Sequence, residues 1–278
     1  MDLPGPLVVI PPSRRPHTHT VIFLHGRGDS ARALAENLHH FADSRGWSLF
    51  ENFPSFRWVF PQANLCDVAA TGDRTFQWFD TWNMRDLGER EELQREGLAG
   101  SVGRMRRLAR EEVERLGGRW EKVVLAGISQ GGATAVQTLL NLDFKVPEEE
   151  GEGEGEGTKV RRIGAVVGIS CRLPFPRKTL AETRAEVGVW TGEGGEGDDE
   201  VVRNTAVLLE HCADDPLVRV ETGREVRDRL VDYGAPVTWK EYPDGGHWFN
   251  YPAGADDMGE FLRREFGLGR DGAPLGGS

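Results

Sequence analysis

The chemistry this chain can do turns on a serine in a glycine-rich turn and on the histidines and carboxylates downstream of it. Gly127-Ile128-Ser129-Gln130-Gly131 fits the pattern G-x-S-x-G. In a chain with 36 glycines the pattern by itself carries little weight. Its flanks carry more. The apolar run Lys122 to Ala126 leads in as a strand, and Ala133 to Leu142 leads out as a helix. A strand-to-helix elbow of this kind presents the serine at the carboxyl edge of a sheet. The glycines two before and two after the serine fall where backbone runs close to neighbouring elements, so a Cβ would clash. The following helix also points its free N–H groups at the place where negative charge would develop.

A serine hydroxyl is a weak nucleophile at neutral pH. It needs a base, usually histidine, and a carboxylate to orient that base. Only His211 and His247 lie downstream of Ser129. His247 stands in Asp244-Gly245-Gly246-His247-Trp248, a loop between the last strand and the last helix, which is a carboxyl-edge position. His211 ends the preceding strand, and Cys212-Ala213-Asp214-Asp215-Pro216 follows it as another carboxyl-edge loop. With His247 as base, the acid comes from this loop. Asp214 and Asp215 are both candidates. Pro216 favours Asp215, because a proline holds the residue before it in an extended conformation. His25, in Leu24-His25-Gly26-Arg27-Gly28-Asp29, follows the first clear strand. The backbone N–H groups of its loop are candidates for an oxyanion hole, while its ring is expected to brace the turn. His17, His19, His39 and His40 are assigned no catalytic part.

These residues need a scaffold, and the rest of the chain describes one. Strands are expected at Thr20 to Leu24, Trp58 to Phe60, Lys122 to Ala126, Ile163 to Ile169, Ala206 to Leu209 and Val237 to Tyr242. Helices are expected from Asp29 or Ser30 to about Arg45, from about Arg90 to Leu116, and over Ala133 to Leu142, Thr222 to Tyr233 and Ala255 to Phe266. Strands and helices alternate, which predicts an α/β chain with a mostly parallel sheet and helices on both faces. The Gly-Glu stretch near 146–158, the loop near 191–200 and the tail after 268 read as disordered decorations on a single domain spanning 1–278.

Charge narrows the function classes. The formal net charge is −11. Glu148, Glu149, Glu150, Glu152, Glu154 and Glu156 lie in the first insertion, and Glu193, Glu196, Asp198, Asp199 and Glu200 in the second. Those acids account for the whole excess, so the body of the chain is formally neutral. No basic stripe remains for nucleic acid or an anionic membrane. Cys66, Cys171 and Cys212 form an odd, sparse set without metal-ligand spacing, which argues against a disulfide framework and a zinc site. No signal peptide and no stretch long enough to span a bilayer is evident, and a cytoplasmic location is expected.

Together, Phe23-Leu24-His25-Gly26-Arg27-Gly28-Asp29, Gly127-Ile128-Ser129-Gln130-Gly131-Gly132, Asp215-Pro216-Leu217-Val218 and Gly246-His247 resemble the phospholipase/carboxylesterase family of α/β-hydrolases, which includes the acyl-protein thioesterases. Trp78-Phe79-Asp80 resembles the family's aromatic-Asp segment beside the active site. The resemblance implies the α/β-hydrolase fold and a triad of Ser129, Asp215 and His247, which selects Asp215 over Asp214. It implies an oxyanion hole from the backbone N–H groups of Arg27 and Gln130. Trp78, Phe79 and Trp248 are candidate substrate contacts. The implied activity is cleavage of a small-molecule ester or an acylated protein through an acyl-enzyme, with no metal and no cofactor. Arg27 is a departure, since family members typically carry an apolar residue there. The acidic insertions are departures too, and the one near Trp190 is a candidate border of the substrate entrance. Two competing readings stand beside this one. A non-catalytic binding protein on the same fold would require a broken triad. A peptidase or other hydrolase would differ only in the shape of the pocket.

Overall fold

The strands form where β-branched and apolar residues run without interruption, and their burial shows why. In a computed structural model, which describes residues 7–9, 16–143, 161–192 and 199–269, every residue of β2 (His19–Leu24) is buried. The same holds for Val123–Ile128, Ala165–Ile169 and Val207–Cys212. Such runs belong to strands covered on both faces. In chain order the strands are β1 (Leu7–Val9), β2, β3 (Phe56–Phe60), β4 (Asn64–Asp67), β5 (Arg74–Gln77), β6 (Val123–Ile128), β7 (Ala165–Ile169), β8 (Val207–Cys212) and β9 (Val237–Tyr242). Seven of them make one sheet in the order β1-β3-β2-β6-β7-β8-β9. All its pairings are parallel except that of β1 with β3. β4 and β5 form a separate antiparallel hairpin. The sheet is therefore the mostly parallel one that the alternating pattern predicts.

Helices cover both faces. Two-residue alternation sorts the strand side chains, so Val124, Ala126 and Ile128 pack with α1 (Ala31–Leu38), α2 (Leu49–Asn52) and the C-terminal helix α8 (Ala253–Phe266). Val123 and Leu125 face the opposite core. That core includes α3 (Gln94–Arg115), α4 (Gln130–Leu140), α5 (Leu180–Val187), α6 (Glu200–Asn204) and α7 (Val220–Asp232). Register places Leu24 beside Gly127 and Ile128 beside Ile169. The loops that leave β2, β6, β8 and β9 consequently open on one edge, and the expected chemical residues sit in them.

The helix expected to run from Asp29 or Ser30 to about Arg45 ends at Leu38, although Ser30 does cap it. Asp43 supplies the reason for the early stop. Its carboxylate accepts the N–H groups of Arg45 at 2.9 Å and Trp47 at 3.0 Å, a local turn that competes with helix. The loop expected across 191–200 is also interrupted, because Glu200 begins α6. The 146–158 insertion, residues 193–198 of the second insertion and the tail from 270 lie outside the described residues. Thr191, at the edge of the second insertion, bonds Asp143 just beyond the C-terminal end of α4. Ser129 lies at the other end of that helix, about 16 Å away along its axis at 1.5 Å per residue. Thr191 thus anchors the near side of this insertion at the end of α4 opposite Ser129.

One buried carboxyl yields a stability prediction. Glu210 on β8 is 2% exposed, beside Tyr242 and Asp257, with Lys240 the nearby cation. Burial, aided by Asp257, pushes its pKa well above the usual glutamate value. Folding therefore takes up a proton above about pH 4.3, where the unfolded glutamate is ionised. This contribution costs nothing at lower pH and costs up to about 1.4 kcal/mol per pH unit as pH rises toward the folded pKa. Glu210→Gln is expected to remove that slope. Thermal melts from pH 5 to 8 check it: the variant should gain on the wild type as pH rises, and parallel curves would refute the assignment.

Candidate active site

Ser129 sits between β6 and α4 with φ 56° and ψ −122°, a conformation that a residue with a side chain rarely adopts. The surrounding glycines explain how the turn closes this tightly. A Cβ on Gly127 would lie 2.4 Å from the carbonyl carbon of Gly131, and one on Gly131 would lie 2.3 Å from the Leu24 oxygen. Gly132 is equally constrained, with Cys171 Cβ and the Gly127 oxygen both 2.8 Å from where its own Cβ would stand. The elbow is held across the sheet by Ser129 N–H, which donates to the Ile169 carbonyl at 2.8 Å.

His247 and Asp215 come together as the chain order predicts. His247 Nδ1 lies 2.7 Å from Asp215 Oδ2. The other carboxylate oxygen, Oδ1, accepts the N–H groups of Leu217 and Val218, both at 2.8 Å. Burial alone would raise the Asp215 pKa, but hydrogen bonds from His211, His247 and Val218 N–H outweigh it and hold the carboxyl well below the usual range. Asp214 has a different task. Its Oδ1 accepts Gly246 N–H at 2.8 Å, tying the β8–α7 loop to the loop that carries His247. Ser129 and His247 both line an open cleft of about 900 Å³, whose walls include Arg27, Trp82, Met84, Leu217 and Trp248.

His211, which the sequence places at a strand end without a role, is a neighbour of Asp215. It is 1% exposed, lies 3.4 Å from Asp215 Oδ2 through Nε2, and bonds the Val218 carbonyl at 2.8 Å through the same atom. Gly223 on α7 makes room for it, since a Cβ there would stand 2.3 Å from His211 Nδ1. The signal available in the sequence was weak: a histidine at a strand end and a glycine inside a helical pattern.

The β2–α1 loop faces Ser129 closely enough that Gly26 could carry a Cβ only at 3.6 Å from Ser129 Cβ. His25 is fully buried and braces this loop. Its Nδ1 pairs with the Gly26 oxygen at 2.7 Å, and its Nε2 accepts Ala63 N–H at 3.1 Å. Burial lowers its pKa, which keeps the ring neutral for that arrangement. The Arg27 guanidinium donates to Gln77 Oε1 at 3.0 Å, so β5 holds its side chain. Gln130, as the first residue of α4, has a backbone N–H with no intrahelical acceptor.

The Gln130 side chain does something the sequence did not signal. Its Oε1 accepts Trp78 N–H at 2.9 Å and its Nε2 donates to the Phe79 carbonyl at 2.7 Å. The aromatic segment is thereby clamped to the elbow. Phe79 borders a narrow crevice beside Ser129. Trp78 is 2% exposed and stands behind that wall, its indole N–H donating to the His25 carbonyl at 2.8 Å. Trp248 lines the cleft directly. Among the described residues, no group of three or more His, Cys, Asp and Glu side chains could hold a metal ion, and no helix is long and apolar enough to cross a membrane.

Comparison with known proteins agrees with this geometry. The family model described as phospholipase/carboxylesterase matches residues 6–147, just over half of the chain. Acyl-protein thioesterase 1 of Gibberella zeae is 28% identical over 266 residues, covering 94% of this chain and 95% of that protein. Acyl-protein thioesterase 1 of Schizosaccharomyces pombe is 26% identical over 216 residues, 76% of this chain and 74% of the relative. Among solved structures, acyl-protein thioesterase 2 of Zea mays superposes with a TM-score of 0.68 at 23% identity, over 94% of this chain and 99% of the other. SOBER1 of Arabidopsis thaliana gives 0.65 at 21% identity, over 89% and 99%. These structural likenesses show the α/β-hydrolase fold.

Proposed function

The chain belongs to the phospholipase/carboxylesterase family, and from that membership we propose that it cleaves carboxylic ester or thioester bonds through Ser129, His247 and Asp215 by way of an acyl-enzyme. The observation that carries the proposal is the 2.7 Å pairing of His247 Nδ1 with Asp215, at the mouth of a cleft that also holds Ser129 in its strained turn. With Nδ1 so engaged, Nε2 is left to take the proton from Ser129 Oγ as the hydroxyl attacks the acyl carbonyl. Asp215 fixes the tautomer and stabilises the imidazolium. The backbone N–H groups of Arg27 and Gln130 receive the oxyanion, each contributing about 3 kcal/mol to transition-state stability. His247 then passes its proton to the departing alkoxide or thiolate. A water molecule, activated by the same ring, releases the acid and restores Ser129.

The relatives and the walls support a substrate class. Proteins named acyl-protein thioesterase stand among the relatives, so an acylated protein or a small ester is the proposed partner. Phe79 and Trp248 form the apolar contacts, and Trp78 supports Phe79 from behind. The continuous sheet supports reading the chain as one domain. The free thiols of Cys66, Cys171 and Cys212 fit a reducing, cytoplasmic setting.

A fluorophosphonate probe tests the nucleophile. The wild type is expected to label at Ser129 and Ser129→Ala to remain unlabelled. A wild type that does not label, or a variant that labels equally, would overturn the assignment.

A further inference from the structure

Behind the wall of the Ser129 crevice lies a second cavity, of about 450 Å³, with an unusual lining. Arg172 and Leu87 border both spaces, so the two adjoin at these side chains. Arg172 is 9% exposed. One of its guanidinium nitrogens, Nη2, donates to the Leu217 carbonyl at 2.8 Å, while its buried Nε has no hydrogen-bond partner. A buried guanidinium N–H left unpaired costs free energy that an acceptor would recover. Arg85, Arg177 and Arg219 also face this cavity.

The carboxylates present do not cancel them. Asp232 pairs with Arg229 at 3.7 Å, and Asp228 pairs with Arg227 at 2.7 Å. Asp86 accepts Gly88 N–H at 2.9 Å, and Glu225 is the other acid on the lining. Arg85, Arg172, Arg177 and Arg219 therefore face Asp86 and Glu225 on the lining, with Asp215 acting on Arg172 from beside it, and a positive excess remains. The N-terminus of α7 lies on the same rim, with Arg219 as its N-cap and no side chain capping it.

We infer that this arginine-lined cavity is a subsite for an anionic group of the substrate, so that the preferred ester or thioester carries a carboxylate or phosphate next to the bond cleaved at Ser129. The inference rests on the serine-hydrolase reading above and names the substrate class of that site. Arg172 is the positioning and specificity residue. It lines both spaces, and its guanidinium binds a carboxylate or phosphate more strongly than the neutral oxygen of an acyl or alcohol group.

The test compares kcat/KM for two pairs of p-nitrophenyl or aryl esters at low salt. One pair places the charge on the acyl side, glutarate monoester against valerate. The other places it on the alcohol side, the acetate ester of a carboxyphenol against phenyl acetate. Wild type is expected to favour the anionic member of at least one pair by tenfold or more, with the preference shrinking as ionic strength rises. Arg172→Met and the exposed Arg219→Ala are each expected to reduce that ratio. Because the ratio is taken within one protein, a general loss of activity cancels. A wild-type preference for both neutral esters, or ratios unchanged in both variants, would overturn the anionic subsite while leaving the hydrolase intact. If the wild type turns over no ester and does not label with the fluorophosphonate, the hydrolase reading falls and takes this one with it.

Discussion

Ser129→Ala is expected to lower kcat for any ester substrate by a factor on the order of 10⁶. The same change is not expected to harm the fold. The elbow is closed by glycine packing and by Ser129 N–H on Ile169, neither of which involves Oγ. Ser129→Gly takes the argument further. A non-glycine residue at φ 56° and ψ −122° carries strain of about 1–3 kcal/mol, and glycine relieves it. The glycine variant is therefore expected to be inactive and to melt higher than both the wild type and Ser129→Ala. Thermal unfolding beside steady-state kinetics checks both parts. A glycine variant that melts lower would mean that the turn is not strained in the folded protein.

Asp215→Asn is expected to cost roughly 10⁴ in kcat while leaving the loop in place. An asparagine can still offer its Oδ1 to the N–H groups of Leu217 and Val218. What it loses is the acceptor facing His247 Nδ1, so the ring is no longer held with its proton on that nitrogen. Asp215→Ala should lose as much activity and also leave two backbone donors unpaired, at about 1–3 kcal/mol. The two variants thus separate orientation of the base from integrity of the loop. The pH dependence has a definite sign. A carboxyl whose folded pKa is depressed contributes stability above its unfolded value of about 3.9, and loses that contribution as pH falls below it. The wild type should accordingly destabilise more steeply than Asp215→Asn below pH 4. Equal acid sensitivity would contradict the burial and pairing of Asp215.

Much of this was legible because two kinds of pattern are local. Buried parallel strands write themselves as apolar runs, and Lys122 to Ala126 or Ile163 to Ile169 need no partner to be read. The elbow glycines are legible too, since turn sterics depend on a few neighbouring residues. What escaped is what depends on distant partners. Residues 64–67 and 74–77 form a hairpin although only one of their side chains is buried and they follow no clear alternation, because pairing rather than burial makes them strands. The helix after Ser30 was read too long because apolar spacing continues past Leu38, while Asp43 ends it by bonding two backbone donors. Arg172 gives no signal, because it acts on a carbonyl 45 residues on, and His211 gives only a weak one, because its partner Asp215 lies around a turn four residues later.

Gln130 joins two functions that enzymes often keep apart. In the proposed mechanism its backbone N–H receives the oxyanion, while its side chain grips Trp78 and Phe79 on both sides of their peptide. The wall that senses the shape of the substrate is therefore mechanically continuous with a donor that senses the transition state. A substrate too bulky for Phe79 cannot be accommodated by moving that wall without tugging the donor out of line. Poor fit would then surface as slow turnover rather than as weak affinity, so substrates should be ranked by rate, and a binding screen alone would misjudge which of them the protein selects.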